Sequence, residues 1–140
     1  MSNRRNIGIF LTLLIALVLA VQPALAGSPH FVGQISIQSD GTTLTVSGKE
    51  AGLGNETQVH IQVTADAQCI NPGGNHPKAG NKESFSAEGD FPVQNGKANF
   101  ELTLTAAFDP DCSPPMSVVW SNVVVSDTEH GISATFPGPY

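Results

Sequence analysis

The acids and histidines from which chemistry could be built fall into two groups. The first is Asp40, His76, Asp109 and Asp111, all in turn-rich stretches. An Asp-Pro-Asp run at 109–111 with a histidine nearby could bind a cation, and Ca2+ would accept further carbonyl oxygens from such loops. No complete calcium-loop spacing is present, so the expected reading is a solvated acidic rim, with no metal and no cofactor assigned. Proline there limits loop entropy. The second group is Glu50, Asn55, Glu56, Asp127, Glu129 and His130. Asp127-Thr128-Glu129-His130-Gly131 reads as a polar turn rather than a site. The histidines at 30, 60, 76 and 130 show no HExxH pairing, and His60 is expected on an exposed strand face. No Gly-x-Ser-x-Gly nucleophile elbow occurs.

Cys69 and Cys112 are the only cysteines. An even count in an exported chain points to one disulfide. Closing that loop of about 43 residues would stabilise the fold by roughly 3–4 kcal/mol in the chain-entropy model. Pairing also removes the thiol nucleophile. Without CxxC spacing, the two cysteines make no zinc motif. The chain is therefore not expected to be an enzyme.

Export is read from the first 26 residues. Arg4 and Arg5 form a basic start, Ile7 to Val21 is an apolar run, and Ala24-Leu25-Ala26 is a small-x-small cleavage signature. The run is about 15 residues, short of the roughly 20 that cross a bilayer. Residues 1–26 are expected to be a cleaved signal peptide and 27–140 the working domain, with no membrane attachment after cleavage. Gly27 rather than cysteine follows the cut, which argues against a lipid anchor. Beyond Ala26 the chain has no arginine. Its four lysines face twelve acidic residues, a net charge of −8. Nucleic acid needs cationic neutralisation and is excluded as a partner. An extracellular protein, or a small neutral or cationic ligand, remains open. Asn55-Glu56-Thr57 is a glycosylation sequon without meaning in most bacteria.

The elements that must position these groups read as strands. Phe31 to Gln38 and Gln58 to Ala67 alternate cleanly, Asp40-Gly41 and Asn95-Gly96 are hairpin signals, and no sustained 3.6-residue period occurs. Glu83 to Ala87 and Phe91 to Gln94 read as a bent strand with a bulge at Gly89. The fold class is all-β: a single immunoglobulin-like, Greek-key β-sandwich of about seven antiparallel strands. Its core is expected to hold Ile35, Ile37, Leu44, Val46, Val59, Ile61, Val63, Phe85, Phe100, Leu102, Leu104, Val118, Trp120 and Ile132. Strand parity places the connections 38–42, 68–82 and 107–116 at one end, where a Cys69–Cys112 bridge would staple two of them. The two acidic groups then lie at opposite ends and cannot cooperate as an acid/base pair. Val118 to Val125 is apolar on both faces. A bulge near Ser121-Asn122 that turns both halves inward is the expected resolution. The alternative is an outward patch of Val119, Val123 and Val125.

Three segments carry a resemblance: Leu44 to Gly54, Cys69-Ile70-Asn71-Pro72-Gly73-Gly74-Asn75 and Asp111-Cys112-Ser113-Pro114-Pro115-Met116. On these the chain resembles a group of uncharacterised small secreted bacterial β-sandwich proteins. It is more weakly similar to the neocarzinostatin-type apoproteins, through Leu44-x-Val46-x-Gly48, Cys69-x-Asn71-Pro72, Phe85-Ser86-Ala87 and Asn95-Gly96-x-Ala98. That second resemblance implies a seven-stranded carrier of an apolar small molecule, although those apoproteins have two disulfides. The leading expectation is a secreted, non-catalytic sandwich that binds or adheres through its loops. His76, Asp109 and Asp111 are the candidate binding residues. The alternatives are a small-ligand carrier with an inter-sheet cleft, and a protease inhibitor presenting the 107–116 loop.

Overall fold

The computed structural model describes residues 27–73 and 81–140. The proposed leader and His76 lie outside the described residues. Seven strands follow in order: β1 (His30–Asp40), β2 (Thr43–Ala51), β3 (Gln58–Ile70), β4 (Lys82–Pro92), β5 (Lys97–Thr105), β6 (Ser117–Asp127) and β7 (Ile132–Phe136). They form two antiparallel sheets, β1-β2-β5 and β4-β3-β6-β7. The expected all-β sandwich is the fold. In constant-type immunoglobulin domains the fourth strand joins the first sheet. Here β4 pairs with β3 along its whole length, from Gln58 opposite Pro92 to Gln68 opposite Lys82.

Two sequence expectations change in detail. Asn95 and Gly96 adopt positive φ, as a type I′ turn requires, and Gln94 bridges Lys97. The flanking strands then part into different sheets, so this turn is a corner of the sandwich rather than a hairpin. Gly89 stays in register opposite Ile61, and β4 carries no bulge there.

Period-two alternation builds the interior. On β3, Val59, Ile61, Val63, Ala65, Ala67 and Cys69 are all buried and the residues between them are not. Leu44 and Val46 of β2, Phe100 and Leu104 of β5, and Trp120, Val123 and Val125 of β6 meet them. Ile37, Phe85, Leu102 and Val118 pack against this core at its margin, and Ile132 is only half-buried. Leu53 and Phe108 enter the core from connecting segments, where alternation carries no signal. Gly48 is glycine because the Phe100 ring occupies its side-chain space: an added Cβ would lie 2.7 Å from the ring.

Strand β6 resolves its two-faced apolar run by a bulge, as expected. Asp66 of β3 faces Ser121 and Thr64 faces Val124, so β6 has one residue more than β3 between those pairs. Asn122 takes that place with φ of 51° and donates from Nδ2 to Asp66 Oδ2 at 2.9 Å. Trp120 is inward before the bulge; Val123, Val125 and Asp127 are inward after it. No outward Val119, Val123 and Val125 patch forms.

Asn122→Ala keeps the unfavourable backbone and loses the bond to Asp66, so it should cost about 1–3 kcal/mol in urea unfolding. Asn122→Gly, which adopts positive φ freely, should cost less. An equal or larger loss in the glycine variant would show that the left-handed bulge does not set this strand.

Candidate functional site

The disulfide end forms as strand parity requires. Cys69, near the end of β3, is bonded to Cys112 with a Cα–Cα distance of 5.7 Å. The Met116 sulfur packs 3.8 Å from the Cys69 sulfur. Phe108 is buried and meets Phe85 edge-on at 5.9 Å; Phe85 meets Trp120 at 5.8 Å. The Trp120 indole N–H donates to the Gly41 carbonyl at 3.3 Å, which ties in the β1–β2 turn. Between Phe108 and Cys112, Asp109, Pro110 and Asp111 are exposed. Among the described residues no third metal-ligating side chain joins the two aspartates. Tyr140 packs on the core margin, because its backbone N–H and carbonyl pair with Trp120.

A denser arrangement lies at the opposite end. Inward alternation along β2 runs Leu44, Val46, Gly48, Glu50, and so delivers a carboxyl into the interior. Glu50 has 0% of its surface exposed. The β6 bulge delivers Asp127, also 0% exposed. Asp127 then organises the β6–β7 turn. Its Oδ1 accepts the backbone N–H groups of Glu129 at 2.9 Å and His130 at 3.1 Å, an Asx-type turn. Its Oδ2 is left facing His130 Nδ1 in a short contact. On the far side of the imidazole, Nε2 lies 2.8 Å from Glu56 Oε1. Glu56 is placed by the turn after β2. Its N–H donates to the Leu53 carbonyl, while buried Leu53 donates to Gly96.

Glu50, Asp127 and His130 each bring one ligand atom within 4.8 Å of the others. Asp127 and His130 are satisfied. Neither oxygen of Glu50 has a hydrogen-bond partner among the described residues. An unsatisfied buried polar group costs on the order of 1–3 kcal/mol. Burial, and then the adjoining Asp127 carboxyl, push the Glu50 carboxyl up to about 7. Burial also acts to raise Asp127, but the hydrogen bonds from the His130 ring and backbone outweigh it and hold Asp127 below the usual carboxylate range. The bond to Asp127 pushes His130 up to about 9, with Glu56 adding to it against the opposing effect of burial. The result is an Asp127–His130–Glu56 ion-pair chain beside a carboxyl that resists ionisation. Fully buried carboxyls are out of reach of a polymeric substrate. This arrangement suits a held proton or a small ion.

The two acidic ends are separate, as strand parity requires, and the second is a buried cluster rather than the polar turn expected from the sequence. Glu50 shares its parity with Leu44 and Val46, a signal that was available. Asp127 carries no such signal until the bulge is counted. His60 is a surface-strand residue as expected, 2.7 Å from Asp90, whose hydrogen bond raises its pKa.

Comparison with protein-family models, with curated proteins and with solved structures finds no match. The buried cluster makes its own prediction for pH. Glu50 has its pKa raised by folding, so its contribution is complete below about pH 4.5 and lost as pH rises through about 7. The His130 contribution is complete below about 6.5 and lost through about 9. Asp127 acts oppositely, and its contribution is lost as pH falls below its ordinary 3.8. Stability by urea unfolding in metal-free buffer should therefore peak near about pH 4–5 and fall toward pH 9. Glu50→Gln should remove the fall between about 4.5 and 7, on the order of 3 kcal/mol, and leave the His130 limb. A stability that climbs from pH 5 to 8, or one unchanged by Glu50→Gln, contradicts this electrostatic account.

Proposed function

We propose that this chain is a secreted, non-catalytic β-sandwich that binds an extracellular partner through its disulfide-end loops. The observation that carries the reading is the exposed Asp109-Pro110-Asp111 segment held between two anchors, the buried Phe108 and the Cys69–Cys112 bond. A loop fixed before binding loses less entropy when it binds. The acidic tips and the net charge of −8 beyond the leader favour a cationic surface on the partner. Export rests on the leader-type sequence, and the disulfide is consistent with an oxidising compartment. A protease inhibitor is the case in which the partner is a protease.

One observation favours a second reading, the carrier of a small apolar ligand. A groove of about 420 Å3 runs between the edges of β1 and β7, with Ile35, Ile37, Phe136 and Tyr140 among its walls. Gln34, Ser36 and Gln38 make the rest of it polar. It is the weaker reading for that reason.

A photo-crosslinking residue at position 110, with one at exposed position 135 as control, distinguishes these. In the producing organism's culture fluid, position 110 should yield a specific adduct and position 135 should not. The adduct should weaken in about 0.5 M salt, where the Debye length falls to a few ångströms. It should be lost in the Asp109→Asn/Asp111→Asn double variant. Equal labelling at both positions, or capture indifferent to the double variant, refutes loop recognition.

A further inference from the structure

We propose that Glu50, Asp127 and His130 bind a small divalent transition-metal ion of the zinc type, with Glu56 as the outer carboxylate that orients the histidine. This site is at the opposite end of the sandwich from the binding loops and stands independently of them.

Three observations converge on it. Ligand atoms of the three side chains lie within 4.8 Å of one another, although they come from β2, β6 and the β6–β7 turn. Glu50 is fully buried, and both of its oxygens are unpartnered among the described residues. A cation that displaced the His130 proton would satisfy the Glu50 carboxyl and stand against the charges of both Glu50 and Asp127. The outer contacts are those of a built site. Asp127 Oδ1 is held by two backbone N–H groups, and Oδ2 meets His130 Nδ1 in the contact that an ion would replace as the imidazole gives up its proton. His130 Nε2 contacts Glu56, and metal-bound histidines characteristically donate their far ring N–H to a carboxylate. That arrangement turns Nδ1 toward Asp127.

The donor set selects the ion. One imidazole nitrogen with two carboxylates suits Zn2+, which takes such ligands at about 2.0–2.2 Å. Ca2+ and Mg2+ prefer all-oxygen shells and would leave the imidazole unused. A water completes a four-coordinate shell. The path in is past the histidine, whose side chain is 20% exposed, and Glu56, which is 40% exposed.

The test uses the full mature chain after treatment with a chelator, titrated with Zn2+ alone against a chromophoric competitor. One ion should bind per chain, and the His130 ring nitrogens should shift together with it in NMR. Co2+ in place of Zn2+ should give the visible absorption of a four-coordinate site. Glu50→Gln and His130→Gln should each weaken Zn2+ by about 100-fold or more, and Glu56→Gln by about 10–100-fold. Asp109→Asn/Asp111→Asn should leave it unchanged. The ring shift and the Co2+ spectrum are read on the unaltered chain, so a variant that fails to fold does not rescue or sink the proposal. Absence of stoichiometric uptake, uptake with an unperturbed His130 ring, or undiminished affinity in folded Glu50→Gln each overturns it.

Discussion

One extra residue in β6 decides which side chains this sandwich keeps inside. Trp120 faces inward at the disulfide end. In an unbroken strand the inward set would continue through Asn122, Val124 and Ser126, and the core would hold an amide and a hydroxyl. Asn122 instead takes the left-handed conformation, its amide tied to Asp66 across the sheet. The inward set becomes Val123, Val125 and Asp127. Asparagine tolerates that backbone better than most residues, and the bond to Asp66 offsets what strain remains. The same Asp66 accepts from Ser84 Oγ at 2.5 Å, so the bulge is also braced from β4.

The two ends of the sandwich are held by different physics, and the second depends on that switch. At one end, Phe85, Phe108 and Trp120 pack edge to face under loops that a covalent bond closes. This is an apolar anchorage, and it leaves the acidic loop tip outside. At the other end the bulge buries Asp127 beside Glu50, and the ion pairs to His130 and Glu56 reach outward to solvent. Buried charges are costly unless they are fully paired, and a half-satisfied network is costlier than an apolar core. Asp127 and His130 meet that condition. Glu50 does not, and it is therefore the group most sensitive to protons or ions.

Period-two alternation made most of the sandwich legible in the residues. It located the strands, the inward faces of β2, β3 and β5, and the ends at which the loops gather. It also placed Cys69 and Cys112 within reach of each other. It was silent on the partner of β4, because an Asn-Gly turn fits a sheet corner as well as a hairpin. It was silent on Leu53 and Phe108, which enter the core from irregular segments. The buried cluster was half legible. Glu50 continues the alternation of Leu44 and Val46, but acidic residues are read as exposed by default. Asp127 depends on the bulge, and its meeting with Glu50 and His130 is a tertiary fact that no local pattern encodes.

Glu50 and Asp127 share one buried space at the end of the sandwich, and the chemistry of that end depends on it. The most direct measurement is an NMR titration of the side-chain carboxyl carbons and the His130 ring in metal-free protein. Glu50 should titrate near about 7, Asp127 below the ordinary carboxylate range, and His130 near about 9. Ordinary values at all three groups would mean that the carboxyls reach water and that β6 does not turn Asp127 inward.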